Sequence, residues 1–226
     1  MSTNSDRIRK KRSALPRPAR DFRRSGRKKV FQMEKQEIAI RTASEADAGE
    51  ILRIYAPYVA NTAVTFECDV PSLDEISRRI RDTLQTYPYL VALEEGRVVG
   101  YTYASAFKRR AAYAWSVETS IYVERGLRGN GIGKRLYLAL EDALRRQNII
   151  NLNACVAYTA AADIHLDNAS SAFHQRMGYR EAAHFTKCGY KFGTWYDMIW
   201  MEKMLGDHPQ KPDPVIPFQR LPGTRA

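Results

Sequence analysis

Three glycines at alternate positions give the sequence its clearest chemical signal. Gly129, Gly131 and Gly133 stand between a strand-like run that ends at Val123 and a helix-like run that begins near Ile132. Glycine lets the backbone curl and lets a ligand approach closely, and the N–H groups at the positive end of a helix attract anions. The turn therefore predicts a phosphate-binding site. Its spacing is neither G-x-G-x-x-G nor G-x-x-x-x-G-K-[ST], which argues against a dinucleotide fold and a P-loop.

Metal and thiol chemistry have little support in the sequence. The three cysteines, Cys68, Cys155 and Cys188, are widely spaced and contain no C-x-x-C pair. They predict neither a disulfide framework nor a structural zinc site. Cys155, on an apolar strand without an evident base partner, is interpreted as a core residue. The histidines other than His174 match no metal-ligand spacing.

The elements around the glycine turn follow an irregular order. Ser44 and Ser72 are each followed three residues later by an acidic residue, a pattern typical of a helix N-terminus. The predicted order along the chain is β, α, α, β, β, β, α, β, α, β, β, with the last turn at residues 188–190. This order is neither strictly alternating nor all β. It predicts the α/β (α+β) class, with a mixed, mostly antiparallel central sheet and helices on both faces.

The positive charge of the chain is concentrated at its beginning. The formal net charge is +11, and residues 1–32 hold twelve Lys/Arg against two Asp, so the remainder is nearly neutral. We expect residues 1–35 to be a disordered basic tail, because they offer little apolar surface to bury. Three interpretations of the tail stay open: an arm that binds phosphates, an organelle-targeting segment, or a stretch upstream of a true start at Met33.

Between two tails the sequence predicts one domain, residues 36–205. Residues 206–226 hold five of the ten prolines, and we expect a loose Pro-rich extension there. No apolar run approaches the roughly 20 residues that a membrane crossing needs, and no secretory signal is recognisable. Together with the cysteine pattern, these features predict a cytoplasmic protein without a membrane partner.

The glycine turn and three further blocks resemble one family. The pattern R-x-x-G-x-G at residues 128–133 resembles the pyrophosphate-binding turn of the GNAT family of N-acetyltransferases, and the resemblance covers residues 38–205. Residues 112–118, 173–179 and 189–197 are similar to blocks of its phosphinothricin and methionine sulfoximine acetyltransferase branch. The resemblance implies an acetyl-CoA-dependent N-acetyltransferase with the GNAT fold and no metal. It also implies a small amino-acid-like acceptor and a homodimer.

The resemblance assigns the contacts to acetyl-CoA. The strand that ends at Val123 would run beside the pantetheine arm, and the Val123 N–H would bind the thioester oxygen. The family usually has Asn seven residues before the position of His174. Here that residue is Asp167, and the amide of the neighbouring Asn168 is the predicted pantetheine contact. The predicted donor contacts are Ile121, Tyr122, Val123, Arg128, Gly129, Asn130, Gly131, Ile132, Gly133, Lys134, Asn168 and Ser171.

The predicted catalytic residues are Glu118, His174 and Val123. A carboxylate in the middle of a strand costs free energy unless it is hydrated or paired. The resemblance implies that Glu118 removes the ammonium proton of the acceptor, directly or through water. The alternative is a salt-bridged structural residue. His174 stands where many acetyltransferases carry a Tyr that protonates the leaving thiolate. The alternative is a structural histidine whose hydrogen bonds are satisfied.

The predicted acceptor contacts lie in two loops. Lys108 and Arg110 precede Tyr113, and an amino-acid acceptor needs a cation for its carboxylate. The alternative is a solvated run of charge. Phe66 and Glu67 match the segment that approaches the acceptor in the branch.

Other functions stay open at this point. The acceptor of the acetyl group could instead be a polyamine, an aminoglycoside or a protein N-terminus, although the basic loop argues against polycations. A non-catalytic acyl-CoA sensor is a further alternative. A nucleic-acid-binding protein could use the basic arm, but the near-neutral domain and the missing aromatic-basic motif argue against nucleic acid as a partner.

Overall fold

Four α-helices flank a seven-stranded sheet in residues 37–223, the part of the chain that this computed structural model describes. The predicted basic tail, residues 1–35, lies outside the described residues. The strands are β1 (Ile38–Thr42), β2 (Tyr89–Glu94), β3 (Arg97–Ala106), β4 (Ser116–Val123), β5 (Asn151–Tyr158), β6 (Arg180–Lys191) and β7 (Thr194–Met204). The helices are α1 (Ala48–Asn61), α2 (Leu73–Leu84), α3 (Ile132–Arg146) and α4 (Ala169–Arg176).

The sheet is mixed, as predicted. Its strand order is β1-β2-β3-β4-β5-β7-β6. Every neighbouring pair is antiparallel except β4 and β5, which are parallel. Because β4 and β5 are parallel, the chain must cross back from the end of β4 to the start of β5, and α3 lies in this connection.

The two predicted serine caps begin the first helical segments. The Glu75 N–H donates to Ser72 Oγ at 3.1 Å at the start of α2. Ser44 and Asp47 form a capping box, in which the Ser44 N–H donates to Asp47 Oδ2 at 2.8 Å. The local sequence thus determines where both segments begin.

Helices cover both faces of the sheet, which confirms the predicted class. Ile80 of α2 packs in one core with Val98. Leu136 of α3 packs in the other core with Val99. Neighbouring residues of β3 therefore enter opposite cores, as the two-residue period of a strand requires.

The expectation of a loose C-terminal extension is wrong for residues 206–223. Phe218 and Leu221 are 3% and 6% exposed and belong to the core under α3. The Gln147 side-chain amide donates to the Ile216 carbonyl at 2.7 Å, which fastens the segment to the end of α3. Phe218 and Leu221, between Pro217 and Pro222, are therefore the residues that bury this segment, whereas Ile216 stays exposed.

The final hairpin turns later than predicted. β6 continues through residues 188–190 to Lys191, and the turn falls at Phe192 and Gly193, which have φ of +51° and +74°. A register shift between Phe185 and Gly189 breaks the pairing of β6 with β7. The predicted turn residues therefore belong to an irregular strand instead of a loop.

Candidate active site

The sheet opens between β4 and β5. Their pairing runs from Ser116 opposite Asn151 to Glu118 opposite Asn153 and ends there, although both strands continue. On its other side β4 stays paired with β3 as far as Val123. A gap therefore runs through the sheet along the second half of β4.

Two backbone N–H groups of β4 face this gap. The Glu124 N–H donates to the Val99 carbonyl at 2.9 Å, which identifies the even-numbered residues of β4 as those bonded to β3. Alternate residues of an antiparallel strand direct their N–H groups to opposite sides. The N–H groups of Ile121 and Val123 therefore point toward β5, beyond the end of the β4–β5 pairing. They are available to an elongated polar ligand.

A cavity of about 320 Å³ joins this gap to the glycine turn. Gly129 and Gly131 have φ of +90° and +82°, a conformation in which a side chain would be strained, and Gly131 is the N-cap of the 15-residue helix α3. The turn and the positive end of α3 thus form one wall of the cavity. The cavity is lined by Tyr58, Val64, Ile121, Val123, Leu127, Arg128, Gly129, Gly131, Ile132, Gly133, Lys134, Asp167, Ala169, Ser170, Phe173 and Arg176.

Gly133 has a packing role beside the ligand-facing glycines. A Cβ atom at this position would lie 3.2 Å from the Phe173 ring and 3.5 Å from Ile121 Cδ1. The absence of a side chain lets α4 approach the start of α3. The third glycine of the motif therefore brings two cavity walls together.

A smaller cavity of about 50 Å³ continues into the sheet. It shares Val64, Ile121 and Ser170 with the larger cavity, so the two form one path. The smaller cavity is lined by Val64, Thr119, Ser120, Ile121, Tyr122, Tyr137, Ala154, Cys155, Val156, Ala157, Leu166, Ser170 and His174.

His174 lies on the wall of the smaller cavity with both ring nitrogens engaged. It is 3% exposed; Nδ1 is 2.8 Å from the Ser170 carbonyl oxygen and Nε2 is 2.8 Å from Tyr137 Oη. A carbonyl only accepts, so Nδ1 carries the proton. In the neutral ring Nε2 then accepts from the Tyr137 hydroxyl, whose contact with Thr119 Oγ1 is longer, at 3.3 Å. Burial lowers the pKa of His174 to about 4. The ring is therefore neutral near pH 7.

Glu118 lies at the last paired position before the gap. Its carboxylate is half-buried, and no hydrogen bond or ion pair within residues 37–223 includes it. Burial raises its pKa above the ordinary value, against the opposing charge of Lys108. A half-buried carboxyl group with a raised pKa and open hydrogen-bonding capacity is suited to accept a proton from a ligand.

Cys155 differs from the predicted core residue. The residue as a whole is exposed, and its side chain lines the smaller cavity. The walls of that cavity still shield the thiol from water, and this desolvation, followed by the charge of Glu118, raises the pKa of Cys155 to about 12. The thiol is therefore protonated at neutral pH and is poorly suited to act as a nucleophile.

The predicted acceptor residues of the loop before β4 differ in their contacts. The Lys108 ammonium lies 5.0 Å from the centre of the Phe107 ring and 5.7 Å from that of Trp200, and its charge reaches Glu118. Tyr113 packs edge-on against Phe107. Arg110 is exposed at the start of the short 3₁₀ turn Ala111–Tyr113.

The second acceptor segment is held by contacts of its own. Glu67 forms a 2.8 Å ion pair with Arg79 of α2. The Phe66 ring lies against the backbone of Gly189 on β6. Burial raises the pKa of Tyr103, and the carboxylates of Glu118 and Glu67 both add to this increase. The two carboxylates therefore share one electrostatic neighbourhood.

Three of the residues predicted to contact acetyl-CoA line neither cavity. The Asn168 side chain donates to the Thr159 carbonyl and accepts from the Thr159 N–H, so its amide holds the β5–α4 loop. Ser171 is buried, whereas its neighbour Ser170 lines both cavities. Asn130 is the third.

Several cavity residues were not predicted. Ser170 stands four residues before His174, so helical spacing from His174 was the signal that could have found it. Phe173 is next to His174 and stands three residues after Ser170, so only a prediction of Ser170 would have led to it. Arg176 and Tyr58 carried no comparable signal.

Within residues 37–223, no cluster of three or more His, Cys, Asp or Glu side chains is arranged to hold a metal ion. No helix in the same range combines the length and apolar character needed to cross a membrane.

Comparisons with known proteins agree with this geometry. The sequence pattern of the acetyltransferase (GNAT) domain matches residues 40–200. The chain is 31% identical over 173 residues to a phosphinothricin N-acetyltransferase of Streptomyces coelicolor, covering 75% of this chain and 97% of the relative. It is 31% identical to an L-methionine sulfoximine/L-methionine sulfone acetyltransferase of Salmonella typhimurium, covering 76% and 96%.

A solved structure shares the architecture. The crystal structure of a GNAT superfamily phosphinothricin acetyltransferase from Sinorhizobium meliloti, in complex with acetyl-CoA, is similar with a TM-score of 0.71 and 35% identity. The match covers 78% of this chain and 93% of that one.

Proposed function

Because the chain belongs to the GNAT family of acetyltransferases, we propose that it acetylates the amino group of a small amino acid or amino-acid analogue. The donor is acetyl-CoA, and the acceptor is of the phosphinothricin, methionine sulfoximine or methionine sulfone type, on which relatives with these names act. The observation that carries the proposal is the gap in the sheet. The glycine turn and the start of α3 lie at one end of it. Glu118, whose carboxylate has no hydrogen bond or ion pair within residues 37–223, lies at the other.

The donor is bound along the path formed by the two cavities. The pyrophosphate is bound by N–H groups of the glycine turn, with Arg128 and Lys134 supplying positive charge. The N–H of Val123, which lines only the larger cavity, binds the pantetheine arm. The N–H of Ile121, which lines both cavities, binds the thioester oxygen and stabilises the negative charge that develops there. This proposal moves the thioester contact from Val123, the residue named from the sequence, to Ile121, because only Ile121 also lines the smaller cavity.

The acceptor approaches Glu118 as an ammonium ion. The Glu118 carboxylate takes one proton, directly or through water, and the free amine attacks the thioester carbon. The C–N bond forms, the C–S bond breaks, and the nitrogen releases a second proton to solvent. The sulfur leaves as a thiolate and takes a proton from solvent, which gives the N-acetyl product and free CoA. Lys108 and Arg110 bind the acceptor carboxylate.

His174 acts as a positioning residue in this scheme. A neutral ring with both nitrogens engaged has no proton ready for the thiolate. Its hydrogen bonds instead fix Tyr137 and the first turn of α4, which together line the smaller cavity.

A thiol-release assay tests the proposal. The full chain is given acetyl-CoA and a panel of phosphinothricin, methionine sulfoximine, methionine sulfone, common amino acids, spermidine and an aminoglycoside. We expect turnover with the first three, reduced roughly 100-fold or more in Glu118→Gln, as is typical for the loss of a general base. Glu94→Gln, on β2, is the matched control and keeps wild-type turnover. Turnover with polycations alone would contradict the acceptor class, and no stabilisation by acetyl-CoA would contradict the donor.

We also propose that two copies of the chain pair in the cytoplasm. β6 is the outer strand of the sheet, and Phe185, Tyr190 and Trp195 of the final hairpin are 48%, 58% and 58% exposed. Exposed aromatic side chains beside an unpaired sheet edge favour association. Sedimentation should show a dimer in the wild type and a monomer in Trp195→Glu. A wild-type monomer at micromolar concentration would contradict this assembly.

A further inference from the structure

Lys191 carries a buried ammonium group that meets three backbone carbonyls. The residue is 6% exposed, and Nζ donates to the carbonyl oxygens of Val59 at 2.8 Å and of Thr62 and Thr65 at 2.9 Å. These bonds use all three of its protons. No ion pair within residues 37–223 includes Lys191. Its charge is therefore compensated by backbone dipoles and by the face of the Phe192 ring, whose centre lies 5.1 Å from Nζ.

The three carbonyls belong to the end of α1 and the loop that follows it. Val59 lies in the last turn of α1, where carbonyls lack partners within the helix, and Thr62 is the C-cap. A cation at this end also complements the helix dipole. Thr65 lies three residues further along, in a stretch that forms no strand. Lys191 thus holds an irregular loop that has no sheet ladder to order it.

This loop, residues 62–67, forms part of the candidate active site. Val64 lines both cavities. The Thr65 hydroxyl is 2.9 Å from the Tyr55 hydroxyl, and Phe66 and Glu67 are the predicted acceptor contacts. A shift of the loop would therefore move side chains on the acceptor side of the path.

A second contact between β6 and the loop lies two residues before Lys191. A Cβ atom on Gly189 would lie only 2.3 Å from the Phe66 ring, so the ring can lie here only because residue 189 has no side chain. The ring is 38% exposed. Gly189 and Lys191 together therefore fix the position of Phe66, one by leaving room and the other by holding the backbone.

We propose that Lys191 is a positioning residue for the acceptor. Its ammonium, together with the space left by Gly189, holds residues 62–67 in the conformation that places Phe66 beside a small amino-acid acceptor. This inference rests on the proposed function, since it names the residue that orders the acceptor side of the same site. Lys191 acts through the loop and does not contact the reacting atoms.

The first test removes the ammonium and keeps the chain length. In Lys191→Met the three carbonyls lose their donor, so the loop loosens and kcat/KM for the acceptor falls on the order of 100-fold, the scale of a displaced binding group. The dissociation constant of acetyl-CoA, measured by calorimetry, changes less than about threefold, because the glycine turn and β4 are untouched. Lys191→Arg, which keeps a charged donor, recovers part of the loss.

Lys203→Met is the matched control for general loss of stability. Lys203 is a largely buried lysine of the neighbouring strand β7, and it donates to Glu141 Oε1 at 2.6 Å and to the Met177 carbonyl at 2.7 Å. It lines neither cavity. We expect Lys203→Met to lower the melting temperature while the acceptor KM stays at the wild-type value.

Gly189→Ala tests the same proposal without removing the buried charge. The methyl group displaces the end of an exposed ring, so the chain still folds, and the acceptor KM rises while acetyl-CoA binding is unchanged. If Lys191→Met fails to fold, this variant decides the outcome. An unchanged acceptor KM in Gly189→Ala would then overturn the proposal.

Hydrogen exchange gives a readout that does not depend on turnover. Amides of residues 59–67 should exchange faster in Lys191→Met than in the wild type, and remain at the wild-type rate in Lys203→Met. Unchanged exchange overturns the proposal whatever the activity. Faster exchange with an unchanged acceptor KM also overturns it. If the wild type acetylates no member of the acceptor panel, the proposed function fails and the exchange result still decides whether Lys191 orders the loop.

Discussion

Acid should destabilise this protein partly through one residue, His174. Burial lowers its pKa from an ordinary value of 6.5 to about 4. The unfolded chain therefore binds a proton below pH 6.5 that the folded chain binds only near pH 4. The stabilising contribution of the neutral ring is present above pH 6.5 and is lost as the pH falls from 6.5 to about 4.

The magnitude follows from the two pKa values. The full difference of about 2.5 units corresponds to roughly 3 kcal/mol of unfolding free energy. At pH 5 the unfolded ring is almost fully charged and the folded ring almost fully neutral, so about 2 kcal/mol has been lost relative to pH 8. Asp47 adds a loss of the same sign, because its hydrogen bond to Arg41 lowers its pKa. Glu118, whose pKa burial raises, acts in the opposite direction.

A mutant comparison separates His174 from the other groups. Urea unfolding is measured at pH 8 and pH 5 for the wild type and for His174→Gln, whose side chain does not titrate. We expect the wild type to lose about 2 kcal/mol more than the variant between these pH values. Carboxylates that titrate in both proteins cancel in this comparison. Equal losses, to within about 0.5 kcal/mol, would refute the assignment of a neutral buried ring.

Further predictions address the turn, the extension and the base. Gly131→Ala strains a residue with φ of +82°, so it should weaken acetyl-CoA binding and cost about 1 kcal/mol of stability, measured by calorimetry and urea unfolding. Phe218→Ala should cost about 3 kcal/mol, whereas Leu73→Ala, at a 50% exposed position, should change stability by less than about 0.5 kcal/mol. The acid limb of kcat/KM should have its midpoint above 4.5 and disappear in Glu118→Gln; a midpoint at or below 4.5 would contradict the burial of that carboxyl.

The parts of the fold that could be predicted are those with local signals. Ser72 followed by Glu75 determines the start of α2 through a hydrogen bond that spans only three residues. The alternate glycines likewise identify the turn, because the positive φ of Gly129 and Gly131 would strain any residue with a side chain. In each case the residues that determine the structure are adjacent in the sequence.

The parts that could not be predicted depend on contacts between distant segments. Asn168 had the right chemistry for a pantetheine contact, but its amide is already bonded to Thr159. The Pro-rich segment has the composition of a loose tail, yet Phe218 enters the core under α3. Lys191 lies more than 120 residues from each of its partners. Composition and spacing show which groups are present, whereas these contacts decide which groups remain free for a ligand.

The two ionisable groups of the site illustrate this distinction. Burial favours the neutral form of both groups, so it raises the pKa of Glu118 and lowers the pKa of His174. Both nitrogens of His174 have protein partners, so its neutrality makes it part of the framework. Glu118 has no hydrogen-bond partner within residues 37–223, so in the proposed reaction its carboxylate is free to bind the ammonium group of the acceptor. Binding of that ammonium favours the ionised carboxylate, which is the form that can accept the proton.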